Sequence, residues 1–263
     1  MRENKIKLRD KTVMLVGPFT QVIQSLTTGL TEMGADVAIV TSAGSHNHAS
    51  KFAENVSNAR EISSDFGRAA ALAFELDKEE GVKDCISQVA EIFGGIDVVI
   101  DGQLVDCTRM MDEEGEPLAA DADRDLLTPS VTLIKGALPF LTGRNRGRVI
   151  SLIQGDPIAT ESTDTLQTRA IAEHSKLMSS VGREVAQSGV TINGIQLGVT
   201  EEYLLVRYPE KSTIKEALVE LNSQHPKIDI IEAQEISNVV MFLASPMSAG
   251  LNGQSLVINK GVN

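Results

Sequence analysis

The chain has 263 residues, 42% hydrophobic and 23% charged, the size and balance of one α/β domain and not of a disordered, collagen-like or coiled-coil protein. Against 36 Asp and Glu stand 24 Lys and Arg, and the formal charge of −12 repels phosphate backbones and anionic lipid, so no nucleic acid and no membrane surface is expected as a partner. No apolar run nears the ~20 residues of a membrane span, the first residues are polar, and Cys85 and Cys107 lie in no metal or redox spacing, which together suit a cytoplasmic protein.

An apolar run at 13–16, closed by Gly17 and Pro18, reads as the first strand. Residues 21–33 can form a helix, after which Gly34 resets the chain into a second strand at 36–40 and a third follows at 70–76. Val82, Ile86, Val89, Ile92 and Phe93 recur at helical spacing until Gly94-Gly95 stops them. The fourth, fifth and sixth strands are expected at 96–100, 148–153 and 190–196, and a seventh at 255–258 after a helix at 233–244. Strands apolar on both faces and separated by helices imply a parallel sheet covered on each side. The fold class is therefore α/β: a doubly wound seven-stranded parallel sheet, Rossmann-type, in a single domain over 1–263.

The longest gap between strands begins with an acidic segment, 112–125, holding seven acids and one base, Arg124, which reads as a solvated loop. Met110-Met111 before it reads as packing. Leu127, Val131, Ile134, Leu138 and Leu141 then form an apolar stripe on a helix at 126–141. A further helix at 168–187 carries Ile171, Met178, Val181 and Val185 among the small residues Ala170, Ala172, Ser175, Ser179, Gly182 and Ala186. That flat face suits close helix approach, within the domain or across a subunit boundary.

From about residue 10 these segments, in this order, resemble the short-chain dehydrogenase/reductase family. The resemblance rests on Phe93-Gly-Gly-Ile-Asp97-Val-Val-Ile, on Ala137-Leu-Pro139 followed by Gly147-Arg-Val-Ile, and on Gly189-Val-Thr-Ile-Asn193-Gly-Ile. It extends through Glu235-Ile-Ser-Asn-Val-Val-Met-Phe-Leu-Ala-Ser245 and Gly253-Gln-Ser-Leu-Val-Ile-Asn-Lys-Gly261. The family's first turn, Gly-x-x-x-Gly-x-Gly, lets a pyrophosphate approach backbone. Here its positions hold Gly17, Gln21 and Ile23, with Pro18 removing an N–H. Thr41 and Ser42 stand where a ribose-binding residue is expected, Glu75 replaces the acid after strand three, and Asp101-Gly102-Gln103-Leu104 replaces Asn-Asn-Ala-Gly. Asp101 is expected to bring negative charge, and Leu104 bulk, to the cofactor cleft.

The family's catalytic Tyr, with a Lys four residues on and a Ser thirteen before, corresponds to Gln167, Ile171 and Gln154, and its Asn to Leu126. An amide is no general acid, and an isoleucine neither lowers a pKa nor holds a ribose. The two tyrosines, Tyr203 and Tyr208, lie past strand six in the expected lid, and neither starts a Tyr-x-x-x-Lys.

The expectation is accordingly no catalytic, no cofactor-binding and no metal-binding residue in this chain, and no cofactor of its own. The resemblance implies a non-catalytic subunit whose partner is an active short-chain dehydrogenase holding NAD, joined in a heterotetramer through 126–141, 168–187 and 235–261. The pattern of lost motifs is similar to that of inactive subunits of hydroxybenzylsuccinyl-CoA dehydrogenases, which make benzoylsuccinyl-CoA in anaerobic toluene degradation. Two alternatives remain: a small-molecule sensor using the emptied cleft, and an oxidoreductase with other groups, such as Asp156 and His174. His46-Asn-His48 lies in a polar loop without a carboxylate or thiol beside it, and His174 with Lys176 reads as surface.

Overall fold

The computed structural model describes residues 8–18, 20–42, 68–76, 78–105, 107–122, 125–143, 146–160, 162–226 and 228–261. Seven parallel strands form one sheet in the order β3-β2-β1-β4-β5-β6-β7. They are β1 (Thr12–Val16), β2 (Asp36–Ser42), β3 (Ala69–Phe74), β4 (Val98–Leu104), β5 (Arg148–Gln154), β6 (Thr191–Leu197) and β7 (Ser255–Ile258). The helices are α1 (Gln21–Glu32), α2 (Glu79–Phe93), α3 (Thr128–Gly143), α4 (Leu166–Val185), α5 (Glu201–Arg207), α6 (Ile214–Gln224) and α7 (Ala233–Ala244). This is the expected doubly wound, single-domain architecture.

Side chains alternate across each strand, so each face of the sheet gathers its own core. Val13, Leu15, Val37, Ile39, Ile195 and Leu197 face α1 and α7, where Leu26, Leu30, Val240 and Leu243 cover them. Met14, Val16, Val40, Val99, Val149 and Ile192 face α2, α3 and α4 and meet Val82, Ile86, Ile134, Leu141 and Met178. The stripe on α3 therefore covers its own domain, with Ile134 and Leu141 no more than 1% exposed. Leu127, Val131 and Leu138 of the same stripe are only partly buried.

The small residues of α4 also serve a contact within the chain. Gly182 lies against the turn at 252–253, where a Cβ would stand 2.7 Å from the Gly253 Cα. Asn252 fastens that turn, donating from Nδ2 to the Gly182 carbonyl at 2.7 Å and accepting from the Ile192 N–H at 2.9 Å. Gly182→Ala pushes backbone against backbone and should lower stability by about 1–3 kcal/mol, readable as a shifted urea midpoint. An unchanged midpoint would show that the turn yields freely.

Boundaries differ most at β4, expected at 96–100 but running on through Asp101, Gly102, Gln103 and Leu104. The polar Asp101 and Gln103 hide a strand whose Asp101 and Leu104 are only 1% exposed. Among the described residues no helix is long and apolar enough to cross a membrane.

Candidate functional site

In a doubly wound sheet the crevice lies beyond the carboxyl ends of the central strands. Here β4, β5 and β6 end beside the start of α4. Thr165 caps α4, accepting from the Thr168 N–H while the Thr168 hydroxyl accepts from the Thr165 N–H, a reciprocal capping box. That start places Gln167 in the first turn, against the end of β5.

Gln154 and Gln167 are both fully buried there. Gln154 Nε2 donates to the Gly198 carbonyl at 2.6 Å and the Gly155 carbonyl at 3.0 Å, while Thr200 Oγ1 donates to Gln154 Oε1 at 3.1 Å. Gln167 Nε2 donates to the carbonyls of Gln154, at 3.2 Å, and Gly155, at 3.0 Å. The two amides thus stitch the ends of β5 and β6 to the first turn of α4. They present no hydroxyl, no acid and no base to a substrate.

Ile171, one turn along α4, and Leu126 do the apolar equivalent. Leu126, 4% exposed, joins Leu104, Met110, Ile153, Leu166 and Ala170 in a separate cluster, with Ile171 packed on its edge. All four positions that the resemblance assigns to catalysis are therefore built into amide stitching or an apolar cluster. Met110 and Met111 are buried packing residues, as their sequence suggests.

At the opposite side of the crevice, α1 begins behind Thr20, whose hydroxyl accepts from the Ile23 N–H at 3.3 Å. The next orphan donor, the Gln21 N–H, points at Glu202 Oε1 at 2.7 Å, and Gln21 Nε2 donates to Glu201 Oε2 at 2.6 Å. Helix N-termini attract anions, and this one has two carboxylates of its own chain. Ile23 is 1% exposed and lies over β4, where a Cβ on Gly102 would stand 2.8 Å from its Cδ1. Glycine at 102 makes room for isoleucine at 23, so the helix packs against β4. Thr41 and Ser42 close β2 with no ribose-binding acid or base.

Two expectations need correction. Asp101 brings no charge to the crevice; its side chain turns to the α4 face, where it accepts from Ser151 Oγ at 3.2 Å and from the Gln103 N–H at 3.1 Å. Burial raises its pKa, with the hydrogen bonds from Gln103 and Ser151 pulling the other way. His174 is not on the surface: it is 1% exposed, with Nε2 2.9 Å from the same Ser151 Oγ. Burial pushes its pKa down to about 4. Positions 167, 170, 174, 178, 182 and 185 are all buried at helical spacing, a signal that could have located it. Lys176 on that helix is exposed.

The acidic segment is solvated as expected, with Asp112, Glu113, Glu114, Glu116, Asp121 and Asp125 exposed, and its residues 112–117 also dock on the crevice. Gly115, at φ +83, is the point of closest approach, where a Cβ would stand 2.5 Å from the carbonyl oxygens of Val206 and Arg207. Arg207 Nη1 donates to the Gly115 carbonyl at 2.8 Å and to Glu116 Oε1 at 2.6 Å. Asp156 is 8% exposed, and burial raises its pKa against the bond from the Ile158 N–H. It lines a cavity of about 370 Å³ with Thr168, Ile171, Gln196, Val257 and Asn259. His46 and His48 lie outside the described residues.

A family model described as enoyl-(acyl carrier protein) reductase matches residues 25–263. The chain is 25% identical over 193 residues to the 3-oxoacyl-[acyl-carrier-protein] reductase FabG of Vibrio cholerae serotype O1, covering 73% of this chain and 76% of that one. Among solved structures, a short-chain type dehydrogenase/reductase from Mycobacterium ulcerans superposes with a TM-score of 0.79 at 18% identity, over 97% of this chain and 90% of that one. A short chain oxidoreductase from Pseudomonas aeruginosa, described as containing an atypical catalytic center, gives 0.78 at 18% identity over 98% of both chains.

Proposed function

The chain belongs to the short-chain dehydrogenase/reductase family of oxidoreductases, and from that premise we propose that it is a non-catalytic subunit working beside an active family member. The observation that carries this reading is the buried pair Gln154 and Gln167, whose amides are committed to carbonyls where the family keeps the hydroxyls of its serine and proton-transferring tyrosine. The residues do not fit a dinucleotide either. Glu201 and Glu202 already hold the start of α1, and Ile23 fills the approach over Gly102. The reaction then belongs to the partner: NAD-dependent oxidation of a secondary alcohol, with hydroxybenzylsuccinyl-CoA as the substrate to try first.

The place to look for the partner contact shifts with the structure. Gly182 and Val240 are buried inside this chain, so a charge at either disturbs the fold. Val257 on the edge strand β7, 54% exposed, and Met247 after α7, 67% exposed, are outward apolar positions in the 235–261 region. Val257→Asp should therefore leave folding intact and break assembly. To test the reading, the chain is co-expressed with the short-chain dehydrogenase encoded nearest to it, and mass and turnover are measured. Co-purification lost with Val257→Asp supports it; a neighbour that assembles and turns over alone, never binding this chain, sinks it. Calorimetric titration of the isolated chain with NADH should show no binding below about 1 mM, and a micromolar constant would refute the non-binding part.

A second reading, a small-molecule binding module, draws on the cavity beside Asp156. Its lining has no cation, which favours a neutral or basic ligand over a phosphate. Occupancy of that cavity without any partner chain would bring it forward.

A further inference from the structure

The short helix α5 is anchored at three points, and the three together define a device. At its start, Thr200 caps it and Glu201 and Glu202 reach across to Gln21. In its middle, Tyr203 and Leu204 are fully buried with Met111, Val199, Tyr208 and Leu221. At its end, Arg207, only 12% exposed, grips the 112–117 turn through Glu116 and the Gly115 carbonyl. The helix thus spans from the turn after β1 to the acidic segment after β4, across the mouth of the crevice.

The carboxylates at its start stand in a particular place. Gln21 is the first residue of α1, so its N–H is one that the helix cannot satisfy. An anion from outside would seek the same donor. Glu202 of the chain's own lid, 181 residues along the sequence, has taken it, and Glu201 beside it accepts from the Gln21 side-chain amide. We propose that α5 is a closing strap whose paired carboxylates act as a built-in substitute for a bound anion. A diphosphate-bearing ligand can reach α1 only by lifting α5, and α5 takes the 112–117 turn with it. The strap is independent of the partner-subunit reading, and its test uses the isolated full chain.

Two variants cut the latch from opposite sides. Glu201→Gln with Glu202→Gln removes the charges, but it also removes acids from the first turn of α5, where they favour the helix on their own account. Gln21→Pro removes the N–H and the amide while leaving α5 untouched. Proline is well tolerated at the first helical position, and the extended backbone of Thr20 (φ −116, ψ 167) suits the residue before it. Hydrogen exchange followed by mass spectrometry should show α5 and residues 112–117 exchanging at least tenfold faster in both variants, with α4 and β5 unchanged. Inorganic pyrophosphate should bind the double glutamine variant in the millimolar range, and neither native chain nor Gln21→Pro, which keeps the repelling charges.

Exchange within twofold of native in Gln21→Pro overturns the latch, whatever the other variant does. A loosened α5 with an unaltered 112–117 turn overturns the coupling. Faster exchange in the double variant without pyrophosphate binding overturns the anion-substitute role.

Discussion

Restoring the family's catalytic residues, Gln154→Ser, Gln167→Tyr and Ile171→Lys together, should give a protein with no detectable dehydrogenase turnover and a melting temperature about 10 °C lower. The stability loss follows from what the amides do. Gln154 Nε2 leaves the carbonyls of Gly155 and Gly198, Gln167 Nε2 leaves those of Gln154 and Gly155, and Thr200 Oγ1 loses its acceptor. At about 1 kcal/mol net per buried hydrogen bond, plus the space vacated by a shorter side chain at 154, the loss is about 3–5 kcal/mol, and each kcal/mol moves a chain of this size by ~2–4 °C. The lysine contributes little, because Ile171 is half-buried and a lysine there can carry its ammonium outward. Turnover stays absent because restored groups act only on an oriented nicotinamide, and the start of α1 is still held by Glu201 and Glu202. A coupled NADH assay with a panel of secondary alcohols and a thermal melt read both parts. Turnover by the triple variant would overturn the non-catalytic reading, and a native-like melt would show that the amides hold nothing.

Stability should fall steeply as the pH drops from 6.5 to 4, and His174 should account for most of the drop. Its pKa in the folded chain is depressed to about 4, against 6.5 when exposed, with burial as the cause. Between these values the unfolded chain takes a proton that the folded chain refuses, so the unfolded state is favoured as the pH falls. At 1.36 kcal/mol per pKa unit the contribution lost is about 3 kcal/mol. Asp101 works in the opposite direction: its raised pKa means that the folded chain takes up a proton first on acidification, which partly offsets the histidine. The two groups share Ser151, at 2.9 Å from His174 Nε2 and 3.2 Å from Asp101 Oδ2, so the difference between native and variant is the clean measurement. His174→Gln keeps a hydrogen-bonding partner for Ser151 and cannot titrate. Urea denaturation across this range should show native chain losing about 3 kcal/mol more than the variant. Equal pH slopes would mean that His174 is protonated in the fold.

The architecture was legible because the strands carry their own signal. Runs such as Val13–Val16 are apolar on both faces, and the helices between them repeat at helical spacing. Gln154, Gln167 and Ile171 could be placed by spacing from Glu184, Gly189 and Asn193, which says which groups are missing but not what the replacements do. Amides donating to carbonyls at the end of a neighbouring strand have no sequence signature. Asp101 and His174 were misplaced for a shared reason: each is polar, and Ser151, brought up by β5, helps to make the burial of both tolerable, with Gln103 also donating to Asp101. Nothing local to Glu201 and Glu202 tells that α1 lies at the other end of their side chains. The docking of the 112–117 turn has no local signal, because Arg207, which grips it, is far along the chain.

Gln167 rests on the carbonyl of Gln154 itself, and both amides share the carbonyl of Gly155. A change at either position therefore alters what the other one means. Serine at 154 alone gives up the bonds to the Gly198 carbonyl and to Thr200 while Gln167 still blocks the place of a phenol; tyrosine at 167 alone must enter a space already filled. Each single step toward the family's residues is expected to cost stability. The two positions are coupled: the cost of a change at one depends on which residue stands at the other.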